Sequence, residues 1–345
     1  MKIGILTSGG DTPGMNAVIW GVFKRASQLG HELYGIRDGW KGLMENDILK
    51  LDYDMVKDIL PIGGTILGSS RTNPFKREDG VEKIKKTIET NGFDAVIAIG
   101  GDDTLGVARK LYDLGLPFVG VPKTIDNDLD ATDYTFGFNT AVTIATEALD
   151  RLTTTAKSHH RTIVVEIMGR HAGWITLYAG IAGGAHAILI PELPMPMEKV
   201  AEIIKKRYES GERWALVAVS EGFEFVEENP DDNEIEKDEF GHVRLEKRGV
   251  AQRVAEYLNK KAGIETRHVV LGHVQRGGSP TAYDRVLSVR FGILATELVN
   301  NREFGYFPSL QGTKIIKRPL KDAVDHLKVV DEDHIKIAKI IMGIE

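Results

Sequence analysis

The sequence predicts an α/β protein with mainly parallel sheets, and three observations carry that reading. Short, almost wholly apolar runs alternate with segments of helical period, the arithmetic of strand-helix-strand units buried on both faces. Glycine-rich turns follow several of those runs directly, as ligand-binding turns at strand carboxyl ends do. At 345 residues the chain is too long for one simple core, so two domains or one large α/β unit is expected.

In chain order, Ile3–Thr7 reads as a strand, a helix follows Asn16, and Glu32–Ile36 is the next strand. Val81–Thr90 is helical, and Ala95–Ile99 and Phe118–Val121 are buried strands. The alternation resumes with a helix through Ala141–Leu152, strand Thr162–Ile167, helix Trp174–Ala182, strand Ala187–Ile190, helix Met197–Tyr208 and strand Ala215–Val219. A charged stretch from Glu224 to Lys247, containing Asn229-Pro230-Asp231-Asp232-Asn233, breaks the pattern and reads as a solvated loop or exposed hairpin. Helix Gly249–Lys261, strand His268–Leu271 and a helix from about Ala282 to Leu298 complete the reading.

Composition excludes several functions. A net charge of −6 with mixed signs argues against a nucleic-acid or anionic-membrane surface and leaves a small partner. With no cysteine there are neither disulfides nor thiolate metal sites. Lys2 and the first strand follow Met1 at once and no apolar stretch reaches spanning length, so a cytoplasmic location is expected.

Two strand-end junctions hold the densest chemistry: Gly100-Gly101-Asp102-Asp103-Thr104, and Pro122-Lys123-Thr124-Ile125-Asp126-Asn127-Asp128. Glycines let backbone N–H groups approach phosphate oxygens, whereas clustered carboxylates repel phosphate unless Mg²⁺ bridges them. The combination points to Mg²⁺ and a phosphoryl donor. A single Asp at a helix start is ordinarily a cap; four carboxylates in two glycine-flanked loops outweigh that. The first junction, Thr7-Ser8-Gly9-Gly10-Asp11, reads either as a phosphate loop or as a tight turn, and Gly63-Gly64-Thr65-Ile66-Leu67-Gly68-Ser69-Ser70-Arg71 ends in a guanidinium suited to a polyphosphate oxygen. Strand Thr162–Ile167 runs into Met168-Gly169-Arg170, where Arg170 can stabilise a moving phosphoryl group or form an ordinary ion pair. Arg267, His273 and Arg276 surround another strand end and suggest a sugar-phosphate pocket, and Glu221 can accept from sugar hydroxyls. His159 and His160, adjacent and without a third ligand, are not a metal site.

Taken in order from residue 7 to about 285, these segments resemble the 6-phosphofructokinase family, pyrophosphate-dependent branch. The resemblance implies two Rossmann-like three-layer α/β/α domains with the active site in the cleft between them: 1–137 plus 250–302 for the donor, and 138–249 plus 303–345 for fructose 6-phosphate. It further implies Asp126 as the base that deprotonates the sugar 1-hydroxyl, Asp102 and Asp128 around Mg²⁺, and Thr124, Arg170 and Lys123 on the moving phosphoryl group. Gly10, Arg71, Gly101, Asp103, Thr104 and Lys123 would bind the donor. Thr124, Asp126, Asp128, Met168, Gly169, Arg170 and Glu221 would face the fructose, with Arg161, Arg267, His273 and Arg276 on its 6-phosphate. Arg161 and Arg267 are expected from a neighbouring subunit, which requires a homo-oligomer, a dimer or tetramer.

Two positions bear on the donor. ATP-dependent bacterial relatives typically carry glycine where this chain has Asp103 and Lys123. Asp103 adds bulk and negative charge where an α-phosphate would pass, and at ~4 Å and an effective dielectric of ~20 like charges cost up to about 4 kcal/mol. Pyrophosphate is therefore expected as donor. An ATP-dependent enzyme, a related lipid or dinucleotide kinase, and a catalytically inert sugar-phosphate-binding subunit are the alternatives. Trp20, Thr153, Glu212 and Trp214 stand where allosteric relatives carry cationic effector-site residues, so a non-allosteric enzyme is expected.

Overall fold

A computed structural model describes residues 1–226 and 248–344. The expected loop or hairpin in the charged stretch falls, from residue 227 onward, outside the described residues. The chain divides into two compact units. Unit 1 comprises Met1–Ile125, Leu129–Thr140 and Arg276–Leu327, and unit 2 comprises Asp126–Asp128, Ala141–Gln275 and Lys328–Glu345.

The elements follow in order: β1 (Lys2–Thr7), α1 (Met15–Gln28), β2 (Glu32–Ile36), α2 (Trp40–Glu45), β3 (Ile48–Lys50), α3 (Tyr53–Val56), α4 (Gly80–Asn91), β4 (Ala95–Gly100), α5 (Asp102–Asp113), β5 (Phe118–Thr124) and β6 (Phe136–Gly137). Then come α6 (Phe138–His159), β7 (Thr162–Ile167), α7 (Trp174–Ala182), β8 (Ala187–Leu189), α8 (Met197–Glu209), β9 (Ala215–Ser220), α9 (Val250–Lys260) and β10 (Thr266–Val270). The described chain finishes with α10 (Ala282–Asn300), β11 (Tyr306–Gln311), β12 (Lys314–Pro319) and α11 (Glu332–Met342).

The sheet of unit 1 has the order β3-β2-β1-β4-β5-β6, parallel except where β3 runs against β2. Every residue of β4 is buried and only Lys2 of β1 is exposed, which explains their unbroken apolar character. Chain order reverses between β1 and β4: the connection after β1 moves to one side, and β4 returns on the other. The crevice at such a reversal, beyond the strand carboxyl ends, is where open α/β sheets bind ligands. Helices α1 and α10 cover this sheet and approach closely at two glycines. A Cβ on Gly21 would lie 2.8 Å from the Val289 carbonyl, and one on Gly292 would lie 2.6 Å from that of Val18.

Unit 2 holds a fully parallel sheet, β10-β7-β9-β8. Its order reverses between β7 and β10, making a second crevice at their carboxyl ends. The parallel α/β architecture follows the sequence reading closely, while the unit boundaries differ from those expected. Because β10 pairs with β7, residues 250–275 stay with unit 2. Because the β11–β12 hairpin is tied to the 131–133 segment, by Asp133 N–H to the Leu310 carbonyl (2.9 Å) among other bonds, residues 303–327 join unit 1. None of the described helices is long and apolar enough to cross a membrane.

A buried polar knot fixes the start of α6 to α10. Asp284 accepts hydrogen bonds from the Thr140 backbone N–H (2.7 Å) and hydroxyl (2.5 Å), while the Thr281 N–H donates to Thr140 Oγ1 (3.0 Å). Burial pushes the Asp284 carboxyl up to about 6. The folded state therefore holds this proton more tightly than the unfolded chain, so the contribution is full below the ordinary carboxylate range and is lost as pH rises through about 6. The loss is about 3 kcal/mol. Urea denaturation across pH 4 to 7 should show Asp284→Asn flattening that fall relative to the natural chain; parallel curves for the two would refute the assignment.

Candidate functional site

In unit 1 the crevice is built from three loops laced by short polar side chains. Beyond β1, the Ser8 N–H donates to the Ile99 carbonyl (3.0 Å), continuing the β1–β4 ladder, and the Gly9 N–H donates to the Ser70 carbonyl (3.0 Å). Gly9 has φ +82, a conformation open to glycine and costly for most side chains. Ser8 Oγ also donates to the Ser70 carbonyl (3.0 Å), Ser69 Oγ to that of Gly9 (2.5 Å), and Thr7 Oγ1 to that of Gly68 (2.7 Å). Ser70 Oγ reaches the carbonyl of Asp38 (2.6 Å). These bonds surround a cavity of about 430 Å³ lined by Gly9, Gly10, Asp11, Thr65, Ser69, Ser70 and Arg71.

Three cations belong to this unit's crevice. Arg71 lines the cavity. Lys123, only 5% exposed, donates from Nζ to the Gly10 carbonyl (2.5 Å), joining the end of β5 to the turn after β1. Arg276, which the sequence reading groups with the sugar 6-phosphate, sits within unit 1 against the same turn: Nη1 donates to the Asp11 carbonyl (3.3 Å), and a Cβ on Gly10 would come within 2.8 Å of it. Its buried Nε has no hydrogen-bond partner among the described residues. A long bond to a neutral carbonyl is weak beside a charge-assisted one, so a phosphate oxygen would readily replace it.

The next strand end supplies the carboxylates. Helix α5 begins at Asp102 immediately after Gly101, with Asp102 and Asp103 in its first turn and a glycine N-cap that makes no side-chain cap bond. Gly100 is required by packing, since a Cβ there would meet the Thr104 side chain at 2.3 Å. Beyond β5, Thr124 is held through its carbonyl by the Thr135 hydroxyl (2.8 Å). Asn127 takes φ +54, a left-handed conformation that Asn tolerates, and turns the chain between Asp126 and Asp128. Residues 126–128 belong to unit 2, where the Asp128 carbonyl accepts from the Lys328 N–H (2.9 Å). Among the described residues no three His, Asp or Glu side chains converge as a ready-made cation site. Mg²⁺ commonly keeps several waters and needs only one or two carboxylates besides phosphate oxygens. Asp102, exposed at the first residue of α5, suits that demand.

In unit 2 three adjacent parallel strands deliver the remaining groups to one edge. Met168-Gly169-Arg170 follows β7, Glu221 follows β9, and His273 stands in the 3₁₀ turn Gly272–Arg276 beyond β10. The Glu221 N–H donates to the Ile167 carbonyl (2.9 Å) and the Leu271 N–H to that of Glu166 (3.0 Å), extending both ladders past the strands. Gly169 has φ +140, and its N–H points at Glu221 Oε1 (3.4 Å). Glu166, 7% exposed, accepts from the Ala251 N–H (2.9 Å), a structural use of a carboxylate close to the site.

Arg161 and Arg267 are brought together, but elsewhere. Both guanidinium groups lie 3.4 Å from Glu265 Oε1. Arg161 immediately precedes β7 and Arg267 is the second residue of β10, so the pair occupies the amino end of the sheet. Six residues of β7 separate that end from Met168, roughly 20 Å at a rise of about 3.3 Å per residue.

Of the four positions read against an effector site, Trp214 is the most informative. Its ring is flanked by the Lys157 ammonium at 4.7 Å and the Arg207 guanidinium at 4.6 Å, and its indole N–H donates to Glu212 (2.9 Å). His186 meets the ring edge-on, and burial together with Arg207 lowers its imidazole to about 4. In unit 1, Lys24 lies 5.2 Å above the Trp20 ring. The hydroxyls of Thr65, Ser69, Ser70 and Ser220 and the amide of Gln275 shape these sites without having been singled out from the sequence. Three of the five lie inside a quoted motif, where glycine and charge drew attention away from them.

Comparison with known proteins supplies the family. The phosphofructokinase family profile matches residues 2–299, and the chain belongs to that family. It is 54% identical over 333 residues to an ATP-dependent 6-phosphofructokinase 3 of Streptomyces coelicolor, covering 96% of this chain and 97% of that one. It is 53% identical over 348 residues to a pyrophosphate-fructose 6-phosphate 1-phosphotransferase of Amycolatopsis methanolica, covering 99% and 100%. The solved phosphofructokinase of Saccharomyces cerevisiae superposes with a TM-score of 0.82 at 31% identity, covering 99% of this chain and 47% of the yeast chain. The chain thus spans about half the length of the yeast protein. Relatives named for different donors stand at nearly equal identity, so identity alone does not choose between ATP and pyrophosphate.

Proposed function

We propose that this chain is a Mg²⁺-dependent pyrophosphate-fructose 6-phosphate 1-phosphotransferase, reversibly making fructose 1,6-bisphosphate and phosphate. The observation that carries the donor choice is Asp103 in the first turn of α5, with Lys123 reaching across to the Gly10 carbonyl. A carboxylate at the helix start disfavours a further phosphate there, while the ammonium supplies a point charge to a donor that lacks a nucleoside to anchor it. The neutral acceptor now held by Lys123 is readily exchanged for a phosphate oxygen.

Gly10, Arg71, Gly101, Asp103, Thr104 and Lys123 take the donor, and the backbone N–H groups at the α5 N-terminus face its phosphates. Asp126 abstracts the proton of the 1-hydroxyl, Thr124 and Arg170 accompany the moving phosphoryl group, and Met168, Gly169 and Glu221 hold the fructose. Asp102 and Asp128 would hold Mg²⁺, which when bound neutralises charge on the pyrophosphate oxygens. His273 and Arg276 take the 6-phosphate with Arg161 and Arg267. The latter pair lies at the amino end of its own sheet, away from the Met168–Arg170 turn. That separation supports their acting on the site of a second copy, and hence a homo-oligomer. Effector insensitivity is supported by Lys157 and Arg207, whose charges are already engaged by Trp214 and Glu212.

Two experiments test the reading. Purified protein with Mg²⁺ and fructose 6-phosphate should form fructose 1,6-bisphosphate with pyrophosphate and not with ATP, and Asp103→Gly should raise kcat/KM for ATP by up to about three decades. Turnover by the natural chain with ATP alone would overturn the donor assignment. Asp126→Ser should lose several orders of magnitude in kcat, and Arg267→Ala should mainly raise the fructose 6-phosphate KM. Unfolding and co-refolding the two variants together should recover up to about one quarter of the natural sites, since a mixed pair rebuilds one intact site of its two. No recovery, from variants that refold and mix, would place Arg267 within its own subunit's chemistry.

A further inference from the structure

The turn Met168-Gly169-Arg170 has to present backbone and side chain to a sugar, yet it is an irregular loop with a glycine at φ +140. Such a turn stays in one shape only if its surroundings determine it. Two fully buried polar side chains do so from opposite neighbours in the sheet. Ser220, the last residue of β9 and 0% exposed, donates from Oγ to the Gly169 carbonyl (2.7 Å) and accepts from the Gly222 N–H (3.3 Å). Gln275, in the turn after β10 and also 0% exposed, accepts at Oε1 from the Met168 N–H (3.3 Å) and donates from Nε2 to the Gly272 carbonyl (3.1 Å). Gly222 closes the third side: a Cβ there would stand 1.9 Å from the Arg170 carbonyl.

From this geometry we infer that Ser220 and Gln275 are positioning residues that clamp the Met168–Arg170 turn from its two flanking strands and thereby set affinity for the phosphorylated sugar. Neither is exposed to meet a substrate. Each spends one hydrogen bond on the turn and one on its own loop, so Ser220 also fixes Gly222 beside Glu221, and Gln275 also braces the loop that carries His273. The three strand ends proposed to contact the sugar are therefore one hydrogen-bonded assembly. The donor residues, which belong to unit 1, lie outside it.

The inference rests on the proposed sugar site, and the test separates the two. Ser220→Ala and Gln275→Ala should each raise the fructose 6-phosphate KM about tenfold, the scale of one buried hydrogen bond lost with its partner left unpaired, while the pyrophosphate KM stays within about twofold. Ser220→Thr keeps the hydroxyl and should restore most of the affinity. Since both side chains act on one turn, the double variant should fall short of the product of the single effects. Independently of turnover, amide hydrogen exchange in residues 168–173 should accelerate in both alanine variants and not in Ser220→Thr. If the natural chain does not phosphorylate fructose 6-phosphate but exchange still accelerates, the sugar-site reading fails and the clamp stands. Unchanged exchange, or equal loss of affinity for both substrates, would overturn the clamp.

Discussion

Everything in unit 1 depends on the parallel ladder joining β1, β4 and β5. Its register pairs Thr7 with Ile99 and Gly100 with Pro122, so the carboxyl ends of the three strands step outward by a residue or two from β1 through β4 to β5 and release their turns at one edge of the sheet. At that level the backbone groups leave the ladder and need new partners. Some find them in the Ser69 and Ser70 loop, as the Gly9 N–H does with the Ser70 carbonyl. Helix α5 starts from a glycine N-cap, which offers no side chain to its first amides. The same constraint acts in unit 2, where β7, β9 and β10 end together and their turns satisfy one another through Ser220 and Gln275. One architectural fact, parallel strands with a reversal in their order, thus yields both candidate subsites.

That dependence explains what was legible in the sequence. Strands such as β4 and β7 are buried at every residue and announce themselves as apolar runs, and the glycines after them mark where backbone must turn or approach. Fold class and the positions of the strand-end turns were readable for this reason. The short strand β3 and the hairpin of β11 and β12 were not. Ile48-Leu49-Lys50 is too brief to show a period, and Lys314–Pro319 carries charge and proline on an edge with no fully buried residue. Unit boundaries were misplaced because they follow pairing partners distant in sequence: β10 belongs with β7, and the hairpin with residues 131–133. No local pattern encodes those partners.

Buried hydroxyls and amides are the other illegible class. Ser220 follows five apolar residues and reads as the polar end of a strand, yet its hydroxyl holds the neighbouring turn. Gln275 lies between two residues that look more chemical, Val274 aside, and is the one fully buried member of its turn. A charge in a glycine loop suggests its ligand directly. A neutral polar side chain gains its meaning only from the partner that the fold brings to it, and that partner lies 51 residues away for Ser220 and 107 away for Gln275.

The donor question turns on how charge is arranged, not on how much there is. Relative to two glycines, Asp103 and Lys123 add opposite charges and leave the net charge of the site unchanged. Their placement differs: Lys123 is buried and directed at the turn after β1, whereas Asp103 is partly exposed at the start of α5. On the proposed reading, a compact anion seated at the turn gains from the ammonium at close range. A longer chain of phosphates running towards α5 has to pass the carboxylate itself, where desolvation strengthens the repulsion. Two substitutions can therefore redirect donor choice while leaving half the chain's identity shared with relatives of either name.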